Sequence, residues 1–398
     1  MKPFIRLIFP AFVLIFQFCD IVTSPSPEPL PFFTSDTPIQ STGSIRVFPI
    51  NGTRQICNPS ISMDTVNFKG CMLWLNFSGE LAVKVLPDMS GFDLYAEQHD
   101  RLIISDTSNT VRWFMGREEF GAPEYEELQD PEWTTHPHYI NCLLSSQVRK
   151  NWSCVAVHTL SKKFLRMSNE NLDETSTPHI WINENSAFIG DTSAIRFDST
   201  GFVSKESVLS FFGTSDVKLV FSKNDGARLS LYYVDFNISS SPVQLQRPAD
   251  KPLYDLESAL ISPDGKWIVF NAYSSNTDYH CYIQELRPGS KPMLFQSNAM
   301  DPHWWYHPAN RSEVYVIYSV IPGGYIVTQN LSDPTFLSGS AGITYRQAVT
   351  LHAGYSGIAS FSRTGFPEEI VRLPLKGGWA PDGAYLCTGY DRAYLIGL

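Results

Sequence analysis

Two stretches of the chain share the pattern D-P-x-W-x-x-H-P, Asp130–Pro137 and Asp301–Pro308, 171 residues apart. Indole faces stack on apolar or sugar surfaces, and imidazoles exchange protons or bind metal near neutral pH. Trp133, His136, Trp304 and His307, with His303, are therefore the candidate ligand-binding set. His303 and His307 with His136 and His138 would also permit zinc or copper by ligand type. Repetition argues for the simpler reading, in which Asp caps a turn, Pro sets it and Trp fills space between repeats. No catalytic residue, metal or cofactor is assigned on this ground.

The other chemistry-bearing groups fare less well. Glu118-Glu119 and Glu124–Asp130 form an acidic cluster beside Trp113, Phe114 and Trp133. A pair of carboxylates across a sugar is what glycoside cleavage needs, but an exposed acidic loop explains the run as simply. Asp264-Gly265 and Asp382-Gly383 lack the spacing of a calcium or phosphate loop, and turn chemistry accounts for them. Ser340 and Ser356 lie among glycines, yet neither fits G-x-S-x-G.

The elements that must position these residues are strands. Ser262-Pro263-Asp264-Gly265 has the residues of a tight turn, and Lys266–Phe270 (K-W-I-V-F) is apolar on both faces, as a strand sandwiched between two sheets must be. The turn returns as Pro381-Asp382-Gly383, and in degenerate form before Tyr139–Leu144, Val217–Phe221 and Glu313–Ser319. Second strands follow at Trp152–Leu160, Leu229–Phe236, Tyr279–Leu286, Tyr325–Leu331 and Arg392–Leu398. Turn, strand, hairpin, strand and polar loop make one blade of a propeller. Pro263 to Pro308 is 45 residues, one blade period, and 171 is near four such periods. Arithmetic alone leaves six, seven or eight blades open.

The string S-P-D-G-K-W-I-V-F with its following Y-I-Q-E-L strand resembles the repeat of TolB-like, WD-repeat-like β-propellers, over most of the chain from about Ser44. That resemblance implies an all-β fold of six four-stranded antiparallel blades in an extracytoplasmic protein that binds partners. Blades before residue 210 match weakly, and D-P-x-W-x-x-H-P is not part of the family pattern. The C-terminal G-G-W-A-P-D-G-A-Y-L-C-T-G-Y stretch, with D-P-H-W-W, is also similar to uncharacterised secreted propellers of Fibrobacter-type bacteria, which supplies no activity. The strand Ile45–Ile50 is expected to complete the last blade, because closing the ring removes an open sheet edge.

Length and composition agree with one large β domain. The 398 residues are 43% hydrophobic and 13% aromatic, and 27 prolines with 25 glycines imply many short turns. The formal net charge of −10 supplies no basic field, so nucleic acid is not an expected partner. Residues 1–24 read as a secretory signal: Lys2 and Arg6, then the apolar run Leu7–Phe18, then small residues at Val22-Thr23-Ser24. Pro25 disfavours cleavage there, and Cys19 lacks the small neighbour of a lipidated cysteine, so membrane attachment is expected only through an uncleaved or lipidated N-terminus. Residues 25–43 form a Pro-rich linker, and residues 44–398 form the propeller.

Six cysteines remain in a compartment that permits disulfides, and symmetric spacing suggests Cys57–Cys71 and Cys142–Cys154 pairs across hairpins. Cys281 and Cys387 read equally as buried thiols. Sequons at Asn51, Asn76, Asn151, Asn237, Asn310 and Asn330 matter only in a eukaryotic secretory pathway. The expected function is a non-catalytic secreted or periplasmic module that binds a protein, peptide or polysaccharide of the envelope or extracellular matrix. The alternative is an extracytoplasmic carbohydrate-active enzyme with its site at the channel mouth.

Overall fold

The computed structural model describes residues 56–307, apart from 107, 123–125, 147–150, 170–176 and 276–277. It also describes strands at Phe32–Phe33, Pro38–Ser41, Ile45–Phe48, Asn310–Val320, Ala341–Ala348, Tyr355–Ser362, Tyr385–Thr388 and Ala393–Gly397. The fold is mostly β. Six successive sheets follow one another along the chain, beside a two-stranded pair of Gly79–Glu80 with Tyr95–Ala96.

Three of the six are plain four-stranded antiparallel meanders. The second sheet runs Glu127–Trp133, Tyr139–Ser146, Asn151–His158, Phe164–Arg166. The third runs His179–Ile182, Val217–Asn224, Leu229–Asp235, Ser239–Gln244. The fourth runs Asp255–Ile261, Trp267–Ser275, Asp278–Glu285, Met293–Ser297. The strands expected from the turn repeat fall largely inside the second to sixth sheets, whereas Tyr325–Leu331 lies outside the described residues.

The outer members depart from that plan. In the first sheet the order is Ile56–Ile61, Met72–Asn76, Arg101–Ser105, Thr110–Gly116, and then Lys84–Val85 in parallel. In the fifth, Ala299–His307 pairs antiparallel with Asn310–Val320, but Asn310–Val320 pairs in parallel with Tyr355–Ser362. Among the described residues, the four-stranded sheets with uniform antiparallel pairing are the second, third and fourth.

The sixth sheet joins the two ends of the chain. Ile45–Phe48 pairs antiparallel with Ala393–Gly397, which pairs with Tyr385–Thr388, and this last strand runs beside Ile56–Ile61 of the first sheet. The segment 25–43, read from the sequence as a Pro-rich linker, contributes two short strands to the fifth sheet, at Ala341–Ala348. Pro38 opens one of them at a sheet edge, where its missing N–H leaves no gap in a ladder.

Apolar layers fill the spaces between consecutive sheets, which explains strands that are apolar on both faces. Ile268 and Phe270 pack toward the third sheet with Val220 and Leu231, while Trp267 and Val269 pack toward the fifth with Val316. In the second sheet, Ile140, Cys142 and Leu144 face the first sheet, and Tyr139 and Leu143 face the third. Each such side chain removed from water contributes about 1.5–3 kcal/mol. The short helix Lys205–Phe212 belongs to the second of these layers. Ser204 caps it by accepting from Ser207 N, Gly213 ends it at φ +74°, and Val208, Phe211 and Phe212 face inward at helical spacing.

The expected disulfides are not formed. Cys142 pairs in register with Val155, and Cys154 with Leu143, so the two sulfurs point to opposite faces of the second sheet. Cys57 lies opposite Leu75, whereas Cys71 lies opposite Ser62 at the other end of the same hairpin. Four residues of strand, about 13 Å, separate the two positions, beyond a disulfide's reach. Cys281 is a buried thiol, and Cys387 lies outside the described side chains.

Candidate functional site

A repeated kink in the strands that open the first, second, fourth and fifth sheets builds the site. Asn58, Asp130, Ser258 and Asp301 adopt φ of +44°, +44°, +52° and +51°. At each of them the pairing slips, between Cys57 and Ser60, Gln129 and Glu132, Glu257 and Leu260, and Met300 and His303. Asn and Asp tolerate this left-handed conformation because their short polar side chains hydrogen-bond locally. A bulge of this kind re-aims the neighbouring side chains. Aligned on it, the chain reads N-P-S at 58, D-P-E at 130, T-P-H at 177, S-A-L at 258 and D-P-H at 301.

These five positions converge on one pocket of about 70 Å³, lined by Asn58, Asp130, Glu132, Thr177, Ser258, Asp301 and His303 with Pro59, Pro131, Leu260 and Pro302. That volume admits several waters or one small polar group. Three lining side chains are carboxylates, and none of the described lining residues is Lys or Arg. The pocket favours a ligand group that donates hydrogen bonds or carries positive charge.

Hydrogen bonds between consecutive sheets hold the lining in place. Asn58 Nδ2 donates to Asp130 Oδ1 at 2.7 Å, and Ser60 Oγ donates to Glu132 Oε1 at 2.5 Å while accepting from Trp133 N at 3.0 Å. Thr177 Oγ1 accepts from Ser258 N at 2.9 Å. Asn271 binds Asp301 twice, its Oδ1 accepting from Asp301 N at 3.0 Å and its Nδ2 donating to Asp301 Oδ1 at 3.3 Å.

His179 ties three sheets together just behind this lining. Its Nδ1 accepts from Ile261 N at 3.0 Å, and the ring also hydrogen-bonds the Trp133 backbone. Burial, then the nearby His303 imidazole, push its pKa down to about 3, so the ring is neutral.

The five residues singled out from the sequence are used differently. His303 lines the pocket. Trp133 is 2% exposed, packs against Phe68 and donates from Nε1 to Pro137 O at 3.0 Å, filling the layer between the first two sheets. Trp304 donates from Nε1 to Leu260 O at 3.0 Å and packs between the fourth and fifth sheets. His136 is buried beside His138 and Tyr139, and burial followed by the neighbouring imidazoles lowers its pKa to about 4. His307 ends the strand Ala299–His307, and its side chain lies outside those described.

The two echoes lie on the strands Glu127–Trp133 and Ala299–His307, and their first residues, Asp130 and Asp301, line the pocket. Asn58, Thr177 and Ser258 carry the weaker signal of a small polar residue followed by Pro or Ala, four or more residues ahead of a turn. The two echoes are also three sheets apart rather than four, because residues 183–216, including the helix, lengthen the third repeat.

The downstream turns repeat one construction. Ser262 Oγ accepts from Trp267 N at 2.9 Å and donates to Asp264 Oδ1 at 2.6 Å, and Gly265 turns at φ +71°. Ser62 and Thr134 hold the same place, accepting from Asp64 N at 3.0 Å and His136 N at 3.1 Å. The turn residues are thus engaged in shaping the backbone. Among the described residues no cluster of His, Cys, Asp or Glu fits a metal ion.

No family model and no curated protein matches the chain. Among solved structures, the chain is similar to the tricorn protease at 11% identity and TM-score 0.37, covering 90% of this chain and 34% of that one. It is similar to a prolyl endopeptidase at 9% identity and TM-score 0.37, covering 86% and 39%. It is similar to a family 117 glycoside hydrolase of Zobellia galactanivorans at 10% identity and TM-score 0.35, covering 80% and 89%. The chain thus spans well under half the length of the first two. No helix among the described residues is long and apolar enough to cross a membrane.

Proposed function

We propose that the chain is a six-bladed, TolB-like β-propeller, closed by Ile45–Phe48, that acts outside the cytoplasm as a non-catalytic recognition module. Its partner is a protein, peptide or polysaccharide of the envelope or matrix, engaged at the pocket through Asp130, Glu132, Asp301 and His303. One observation carries this reading: the opening strands of four sheets kink at the same point, and these kinks, with Thr177 just ahead of the third sheet's first strand, line a single pocket. Loops and kinks held on a rigid frame are where recognition is concentrated. The acceptor-rich lining favours a donor-bearing group such as an amine or sugar hydroxyls. The described lining contains no aromatic platform of the kind a sugar-cleaving cleft uses, which weighs against the carbohydrate-active alternative.

The test is binding of the chain to peptide and glycan arrays, with His303→Ala and Glu132→Gln beside the unaltered protein. A shared ligand that both substitutions weaken tenfold or more supports the pocket. Ligands retained unchanged by both variants refute it, and turnover of a glycan lost in Glu132→Gln would establish the enzyme instead.

A further inference from the structure

Two of the six sequons, Asn76 and Asn237, have described side chains, and they do not stand alike in the fold. Asn76 is fully buried at the end of its strand: Nδ2 donates to Glu97 O at 2.5 Å and Phe77 O at 3.4 Å, and Oδ1 accepts from Arg101 N at 3.1 Å. Its amide is consumed in holding a chain crossing. Asn237 is the opposite case. It sits exposed in the turn between Leu229–Asp235 and Ser239–Gln244, followed by Ile238, which is 80% exposed, and the exposed Ser239. The turn is fixed through its backbone, with Asn237 N donating to Asp235 Oδ1 at 3.1 Å and Asn237 O accepting from Lys205 Nζ at 2.6 Å. The side chain's described contact is through oxygen, Oδ1 accepting from Ser215 Oγ at 3.2 Å.

We infer that Asn237 is an N-glycan acceptor when the chain passes through a eukaryotic secretory lumen, and that Asn76 is not. This rests on the extracytoplasmic reading above. Nδ2 attacks the anomeric carbon of a lipid-linked oligosaccharide diphosphate. The carbon–oxygen bond to phosphate breaks, the lipid diphosphate leaves with the electron pair, and the amide proton passes to a base of the transferase. A surface turn accommodates the product, whereas a glycan at Asn76 would have to displace three hydrogen bonds inside the first sheet.

The third sheet also sets where the glycan stands. Ile182 pairs with Val217, and Lys218 with Asp235, so Asn237 lies beyond the Ile182 end of that sheet. Thr177, which lines the pocket, lies beyond the His179 end, about five residues or roughly 17 Å of strand away. The glycan leaves the pocket open.

The experiment is expression of the full chain in a eukaryotic secretory host, once with its own leader and once behind a cleavable foreign leader, followed by peptide mapping before and after amidase release of N-glycans. The expected result is the one-dalton Asn-to-Asp change at Asn237 in secreted, folded protein. Ser239→Ala should remove one glycan increment, and Ser78→Ala should remove none. Secreted protein with Asn237 unmodified behind the foreign leader overturns the inference, as does a glycan at Asn76 in folded protein. Modification of Asn237 behind the foreign leader only would support the site and count against the extracytoplasmic reading.

Discussion

Acidification should destabilise this fold through His179 in particular. The ring is buried between three sheets, accepts from Ile261 N, and has its pKa pushed from an ordinary 6.5 to about 3. Because the folded value lies below the unfolded one, the unfolded chain binds the proton first as pH falls. The stabilisation is complete above about pH 6.5, is lost progressively below it, and levels off near pH 3. At pH 4 the unfolded imidazole has been protonated through about 2.5 pH units while the folded one stays neutral. At about 1.4 kcal/mol per unit the loss from this one residue is about 3 kcal/mol. The assay is urea unfolding at pH 7, 5.5 and 4 for the unaltered protein and for His179→Gln, which cannot titrate. The variant should start less stable at pH 7 and show a slope with pH shallower by about 3 kcal/mol over that range. His136 and His158, both lowered to about 4 with burial as the leading cause, add slope of the same sign to both proteins and cancel in the comparison. Equal slopes would refute the reasoning. So would an NMR titration of the unaltered protein in which the His179 ring protonates above pH 5.

Three further outcomes are expected from the same packing. Gly265→Ala forces a left-handed residue and places a methyl 2.6 Å from the Trp181 ring. It should cost about 2–4 kcal/mol by denaturant melt, and a loss under about 0.5 kcal/mol would show that the turn relaxes freely. Cys142 and Cys154 are buried on opposite faces with thiol pKa values raised by burial. They should resist alkylation in native protein and react fully in urea, and reductant should leave Tm unchanged. Deleting residues 44–50 removes the strand paired with Ala393–Gly397 and opens that sheet's edge. A Tm drop of several degrees is expected by differential scanning fluorimetry, and an unchanged Tm would remove the strand from the closing sheet.

Much of the architecture was legible in residue order. Strand identity followed from β-branched and aromatic runs, and two-sided burial followed from Trp267–Phe270 being apolar on both faces. The pairing of Ile45–Phe48 with Ala393–Gly397 followed from the requirement that a sheet edge be covered. The helix Lys205–Phe212 departs from the all-β expectation, although Ser204, Gly213 and the spacing of Val208, Phe211 and Phe212 carry its local signal.

The sequence by itself determined the middle strands and turns of the second to fourth sheets, because turn chemistry and apolar period are local properties. Tertiary structure decided everything that depends on register. A shift of one position sends Cys142 and Cys154 to opposite faces, and equal spacing in the chain could not reveal it. Register likewise decided that Trp133 and Trp304 fill the layers between sheets while Asp130 and Asp301, three residues before each, line the pocket. A bulge rotates side chains by an amount no alternation pattern records, and only packing four such strands and the segment ahead of His179–Ile182 around one point shows that Asn58, Asp130, Thr177, Ser258 and Asp301 are neighbours.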